Sequence, residues 1–330
     1  MERGITQVKV ISTLTLKLNS PAEARQIGCG FISQRPPEAD SAAEVEGQDS
    51  HRDAWCPLSA ELFLCGVPHI FPLLAVALLV RLVALLTFGG GGRALLCVVA
   101  ALLENPFPKK KWETCAVVGN SGILTNSSCG EMIDSAELVI RCNLPSLGKG
   151  YERHVGTKTD IVTANPSILV KEYGNLMGPR HPFVESLHSY GKSMMVLSPF
   201  SYAVYTPVCL RAVYSIRDFE SPIQPVFFNP AYFQSLRDFW RSRGLTRGLH
   251  SSGLLMVNIA LEHCANVHLY GFWPFSNHPF ELNAVKNHYY DDKKGIWTVH
   301  YMPDEFDLLL RLHSQGVLRL HLGNCRPGRN

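Results

Sequence analysis

The sequence predicts an α/β protein: a mainly parallel central sheet flanked by helices, Rossmann-like, in a single domain over 112–330. Three observations predict it. Short apolar runs of strand length recur along that stretch. Helix-length patterns stand between them, and strand–helix alternation favours a parallel sheet covered on both faces. Gly, Asn and Ser follow several of the runs, where such sheets carry their ligand loops. The 46% hydrophobic content of the 330 residues suffices for a large core and excludes global disorder. A net charge of +3 without a basic stripe argues against nucleic acid as a partner.

Ahead of that domain, 1–69 is divergent and lacks regular patterning. Gln34–Asp53, acidic and rich in Pro, Ala, Ser and Glu, reads as disordered linker. Ile70–Phe88 runs 19 residues with one charge, Arg81, close to the ~20 that span a bilayer, and is the candidate transmembrane signal anchor. A buried core helix is the other reading, since a central Arg costs about 2.5–3.5 kcal/mol on insertion scales. Residues 89–111 form a short stem. Arg93 and Lys109–Lys111 follow the run, and by the positive-inside rule they would keep the C-terminal domain in the cytosol.

Strands are expected at Cys115–Gly119, Glu137–Asn143, Asp160–Thr163, Met194–Ser198, Val226–Phe228, Val267–Tyr270 and Val317–Leu322. Ala231–Arg243 predicts an amphipathic helix. Ser252–Cys264 opens on Ser and holds no charge before Glu262, so it predicts a helix buried all round. Asp304–His313 carries acids at its start, with Gly316 just past its end, as a helix does.

A parallel sheet presents its ligand beyond the strand C-termini. Asn120, Ser121 and Gly122 therefore stand at the mouth of the first of these strands, and Asn143 at the end of the second. Gly271–Phe275 (GFWPF) follows a later one. Such amide, hydroxyl and small residues suit hydrogen bonding to a ligand, and equally suit turning the chain. Gly119-Asn-Ser-Gly122 is not the G-x-G-x-x-G fingerprint, so a dinucleotide reading has little support.

Longer stretches are more specific. Cys115–Pro145 reads CAVVGNSGILTNSSCGEMIDSAELVIRCNLP, and Val155–Ser167 reads VGTKTDIVTANPS. Together they resemble the large sialylmotif of the animal sialyltransferases, in the form found in the alpha-2,8-sialyltransferase group. Ser251–Trp273 (SSGLLMVNIALEHCANVHLYGFW) resembles the small motif, His288-Tyr289-Tyr290-Asp291 the third, and His300 with Glu305, spaced H-x4-E, the fourth. Asp218–Pro222 (DFESP) and Leu312–Cys325 look most like the type VI branch.

The resemblance implies a GT-A-like sialyltransferase fold with a single catalytic domain. It also implies inverting transfer of sialic acid from CMP-sialic acid to the 8-hydroxyl of a terminal sialic acid on glycoprotein or glycolipid glycans. Polysialylating members carry a strongly basic segment before the small motif. Here Asp218–His250 holds four arginines (Arg237, Arg241, Arg243 and Arg247) against three acids, so mono- or oligosialylation is expected over polymerisation.

Direct displacement at an activated donor needs a base for the acceptor hydroxyl and stabilisation of the departing phosphate. By resemblance His300 is the base; imidazole is the side chain whose neutral form is available at the pH of a secretory compartment. Glu305 orients or caps, with a helix-dipole role equally open. His288 is the candidate to stabilise charge on the phosphate. Asn120, Ser121, Asn143, Asn165, Ser167 and Trp273 are implied donor contacts. Ser251, Ser252 and Gly253 join them at the start of the buried helix, where free N–H groups favour anions. Ser252 departs from the family, which usually has Thr. No D-x-D triad occurs and the donor carries a single phosphate, so no metal and no other cofactor is expected.

The family pattern pairs Cys115 with Cys264 and Cys129 with Cys325, and such bridges require an oxidising lumen. Asn126-Ser127-Ser128 is an N-glycosylation sequon. These imply a single-pass type II Golgi membrane protein with its catalytic domain lumenal, opposite to the flanking charges. Only 26 residues separate Phe88 from Cys115. Family members place more chain there, so a second reading stays open: a catalytically inactive sialyltransferase-like protein that binds CMP-sugar or glycan.

Overall fold

Chain segments 9–11, 106–108, 111–200, 203–293 and 300–325 are described by the computed structural model. Eight strands form one sheet: β1 (Lys9–Ile11), β2 (Trp112–Val118), β3 (Leu138–Arg141), β4 (Ile161–Thr163), β5 (Met194–Leu197), β6 (Gln224–Phe228), β7 (Cys264–Tyr270) and β8 (Arg319–His321). Their order is β1-β6-β5-β4-β3-β2-β7-β8. Every ladder is parallel. The helices are α1 (Gly130–Asp134), α2 (Glu152–Val155), α3 (Pro166–Lys171), α4 (His181–Ser186), α5 (Thr206–Asp218), α6 (Pro230–Ser242), α7 (Ser252–His263) and α8 (Met302–Ser314).

Successive strand residues point to opposite faces, and the core divides accordingly. Ala116, Val118, Val139, Val162, Met195 and Phe227 pack with Ile133 of α1, Leu169 of α3, Phe183 of α4 and Ala212 of α5. Cys115, Val117, Ile140, Ile161, Val196 and Leu269 pack with Leu236 of α6, most of α7 and Leu308, Leu309 and Leu312 of α8. Both faces are covered, which is why these strands read as continuous apolar runs.

α7 is the helix read as apolar all round, and Leu254–Ala260 is buried without a break. Its one internal amide is satisfied: Asn258 donates Nδ2–H to the Leu254 carbonyl (2.6 Å) and accepts from Trp240 Nε1 (2.9 Å). The helix N-cap is Ser251, one residue ahead of the serine at which the sequence pattern starts.

All seven expected strands are present, with ends shifted by up to three residues. β1 is an addition within 1–69, a region read as lacking regular elements; it pairs with β6 at the sheet edge. α5 is not among the helices expected from the sequence. Its 13 residues alternate apolar with Arg, Thr and Ser, and it buries Val208, Cys209, Ala212, Val213 and Ile216. Residues 70–88, the candidate anchor, lie outside the described residues, among which no helix is long and apolar enough to cross a membrane.

The structure joins the two cysteine pairs that the resemblance implies. Cys115–Cys264 ties β2 to β7, and Cys129–Cys325 ties the start of α1 to the chain beyond β8. Closures of 149 and 196 residues stabilise by about 4–5 kcal/mol each in the chain-entropy model. Cys142 and Cys209 are free and buried, and burial pushes both thiols up to about 12, which keeps them protonated and inert.

Glu262, in the last turn of α7, is buried and accepts the Tyr232 hydroxyl (2.9 Å). Burial raises its carboxyl from 4.5 to about 7. The folded chain therefore holds a proton that the unfolded chain releases above pH ~4.5. The resulting stabilisation is complete below that pH and is lost as pH rises through about 7. Glu262→Gln keeps the shape and removes the titration. Its melting temperature is expected to fall less between pH 5 and 7.5 than that of the parent, as measured by thermal scans across that range.

Candidate functional site

The sheet's connections reverse at β2: β3 to β6 lie on one side and β7 and β8 on the other. Ligand crevices form at the strand C-termini of such a switch point. Here the two strand ends touch through glycine. A Cβ on Gly119 would lie 2.5 Å from the Gly271 carbonyl oxygen, and one on Gly271 would lie 2.6 Å from the Gly119 oxygen. Gly271 also has φ +72, a conformation other residues rarely adopt. The contact lets Gly119 N–H donate to Tyr270 O (2.7 Å) and Ser121 N–H to Gly271 O (3.1 Å).

Asn120 leaves this contact with its amide directed across the sheet edge. Nδ2 donates to the Cys142 carbonyl (2.8 Å) and to the Tyr290 hydroxyl (3.3 Å). Oδ1 is buried and has no hydrogen-bond partner. A buried amide oxygen left bare costs free energy that a ligand donor recovers. Ser121 caps the turn Gly122–Leu124, accepting from Ile123 N–H (3.3 Å).

Asn143 sits at φ 60 just beyond β3. Its N–H donates to Thr163 Oγ1 (2.8 Å), and its Oδ1 accepts from Thr163 Oγ1–H (3.1 Å) and Asn165 N–H (3.3 Å). Asn165 caps α3 by accepting from Ile168 N–H (3.1 Å), and Ser167 Oγ–H donates to the same oxygen (2.9 Å). Three strand ends, those of β2, β3 and β4, are thus linked by asparagine side chains. Thr163 is the residue the sequence reading missed; as the last residue of an apolar strand it gave no signal. A small pocket of about 10 Å³ opens among Asn165, Ser198, Ser252 and Met256, so Asn165 and Ser252 line a common space.

The N-terminus of α7 is held from behind. Ser251 accepts from Leu254 N–H (3.1 Å) while donating its own N–H and hydroxyl to Glu305, at 2.7 and 2.5 Å. Glu305 is buried, and burial raises its carboxyl against the pull of the two Ser251 donors. It positions the small-motif helix, so the first-turn acid of α8 does more than answer a helix dipole. Gly253 lets Phe272 approach: a Cβ there would lie 3.0 Å from its ring.

His300 Nδ1 lies 2.8 Å from the Leu249 carbonyl. A carbonyl only accepts, so Nδ1 carries a proton, and in the neutral ring the lone pair lies on Nε2. His288 is oriented by Asp291, with Nδ1 2.7 Å from the carboxylate, and stacks on Tyr290 at 5.2 Å. Its Nε2 accepts from Asn287 Nδ2 (3.2 Å). The His288–Asp291 segment is fastened to the switch point: Tyr289 N–H donates to the Asn120 carbonyl (2.9 Å), and the Tyr289 hydroxyl to Ser146 O (2.7 Å).

Trp273 is engaged by its own loop and by α8. Its Nε1–H donates to Asn277 O (2.7 Å), and its ring packs edge-on against Phe275 and Phe306. Asn126 is exposed at φ 60. Among the described residues, no group of three or more His, Cys, Asp and Glu side chains is placed to hold a metal ion.

A doubly wound parallel sheet, with polar loops gathered over its switch point, defines a Rossmann-like α/β protein with its candidate site at the strand C-termini. The chain belongs to glycosyltransferase family 29 (sialyltransferase), whose model matches residues 93–317. It is 44% identical over 225 residues to an alpha-N-acetylneuraminide alpha-2,8-sialyltransferase of Xenopus tropicalis, covering 68% of this chain and 64% of that one. It is 43% identical to the human alpha-2,8-sialyltransferase 8E (67% and 59%) and 40% identical to the human 8F (68% and 56%). The chain therefore spans about 56–64% of the length of these relatives. Likeness to 8E and 8F is nearly equal, so identity alone does not separate the branches.

Gly271→Ala meets both a carbonyl and a positive φ, and is expected to cost more than about 2 kcal/mol in urea denaturation. Gly316→Ala meets a positive φ in open space, and about 1 kcal/mol is expected.

Proposed function

We propose that the chain transfers sialic acid from CMP-sialic acid to the 8-hydroxyl of a terminal sialic acid on a glycan, with inversion and without a metal. The observation that carries this reading is His300, whose Nδ1–H is fixed on Leu249 O beside the N-terminus of α7. Its free Nε2 takes the proton of the acceptor O8–H. The O8 electron pair forms the bond to the sialyl anomeric carbon, the carbon–phosphate oxygen bond breaks, and CMP leaves with that pair. One displacement inverts the centre and needs no covalent intermediate.

Asn120, with its bare Oδ1, and the Asn143–Thr163–Asn165 chain are read as holding the donor. His288, oriented by Asp291 through Nδ1, would meet the departing phosphate with a proton on Nε2 once Asn287 cedes that nitrogen. Ser252 and Gly253 offer the first free N–H groups of α7 to the same anion. The modest charge before the small motif supports one or a few additions per acceptor. The two disulfides and the exposed Asn126 sequon support a Golgi lumenal domain, with 70–88 as type II anchor.

The test uses the full chain made in a secretory host. CMP-sialic acid and an acceptor ending in alpha-2,3-linked sialic acid are supplied with EDTA, and the linkage of the product is determined. The expected result is an alpha-2,8-disialyl product whose rate of formation falls roughly 10²- to 10⁴-fold in His300→Ala with CMP affinity retained. An oxidised, folded chain that binds CMP yet forms no product would instead support the inactive binding protein.

A further inference from the structure

His300 lies outside the regular elements, one residue ahead of Tyr301, the N-cap of α8. That helix start has no side-chain cap bond. What aims the ring comes from the chain opposite, 247–251, which leads into α7. Three alternate residues of that chain reach across, as one side of an extended segment does. Arg247 meets Asp304, the Leu249 carbonyl meets His300 Nδ1 at 2.8 Å, and Ser251 meets Glu305.

Arg247 stands outside the four motifs. Its Nε donates to Asp304 Oδ2 (2.7 Å) and its Nη2 to Oδ1 (2.8 Å), a two-point pair. The same guanidinium lies over the Tyr301 ring, 4.0 Å from its centre, as a cation–π contact. Arg247 thus grips the first turn of α8 and the residue that follows His300 at once. A closed circuit results. Arg247 leads along the chain to Leu249, across the carbonyl to His300, on to Tyr301, and through the ring face back to Arg247.

The pair contributes little to the fold as a whole. The side chain of Arg247 is 61% exposed and that of Asp304 27%, and exposed ion pairs add little to global stability. Ser251 and Glu305, both buried, already join α7 to α8. What the arginine adds is direction: a planar fork and a stacked face fix an orientation that the point charge of a lysine does not. A histidine held by one carbonyl alone can lose that bond and carry its proton on the other nitrogen. Locking the two flanking chains in register removes that freedom.

We infer that Arg247 is a positioning residue for the base: through Asp304 and Tyr301 it keeps the Leu249 carbonyl on His300 Nδ1–H, and so presents Nε2 unprotonated. The role of the ring rests on the transferase reading above; the lock itself is read without turnover.

The full chain, made with ¹⁵N-labelled histidine, tests it by NMR near pH ~8, above the ~6.5 of free imidazole. Signals of His300 are assigned by their absence from His300→Asn. The wild type is expected to show one neutral tautomer, protonated on Nδ1. Arg247→Ala, and Asp304→Asn, which keeps the shape and removes the charge, are each expected to add the Nε2–H form. Arg247→Lys is expected to restore part of the wild-type pattern. In the transfer assay, kcat is expected to fall about 3- to 10-fold in Arg247→Ala, with CMP affinity within about twofold of the parent. A single Nδ1–H tautomer in both variants overturns the inference, as does a wild type that populates both forms. A loss of CMP affinity that matches the loss of rate also overturns it, by assigning Arg247 to the donor. A tautomer fixed in the wild type and mixed in the variants, with no transfer by any of them, sinks the transferase reading and leaves the lock standing.

Discussion

The backbone contact between Gly119 and Gly271 is the constraint on which the rest of the site depends. It closes β2 against β7 where the strand order reverses, with less than 3 Å between each carbonyl and the place a Cβ would take. Because the strands meet there, the chain after Gly119 must turn outward over β3. That turn delivers the Asn120 amide to the Cys142 carbonyl and its backbone carbonyl to Tyr289. A side chain at either glycine would part the strand ends, and the polar groups above them would lose their common frame.

Around this frame the site is assembled from segments far apart in sequence, each held by a buried polar contact. Asn120 meets Tyr290 across 170 residues, and Ser251 meets Glu305 across 54. Buried groups of this kind stabilise only when fully satisfied, and unpaired they are expensive. Ser251 and Glu305 are satisfied by each other. Asn120 Oδ1 is not: it is buried without a partner, and this is why it is proposed as a donor contact. The disulfides act on the same frame from outside: Cys115–Cys264 staples the two strands that carry the glycines, and Cys129–Cys325 fastens the chain beyond β8 to α1.

Much of this was legible in the sequence, for physical reasons. A sheet covered on both faces writes its strands as apolar runs, and α7, buried all round, wrote itself as a helix without charge. The asparagines followed from their place at strand ends, and the cysteine pairs from the resemblance. What escaped was tertiary. α5 mixes arginine and threonine with its apolar residues and blurs its own stripe. Thr163 looks like any strand residue until Asn143 turns back on it. Trp273 sits within a motif, yet its indole is spent on the loop Trp273–Asn277. The tautomer of His300 depends on a carbonyl 51 residues away, which spacing cannot reveal.

The switch point over β2 is the proposed donor site, with Asn120 as its organising side chain. The most direct measurement is the dissociation constant of CMP for the wild type and for Asn120→Asp, which keeps the shape but replaces the donor nitrogen with a charged oxygen. CMP binding by the wild type and a loss of at least about tenfold in the variant are expected, with both proteins folded and disulfide-bonded. Equal affinities would contradict it and move the nucleotide elsewhere on the molecule.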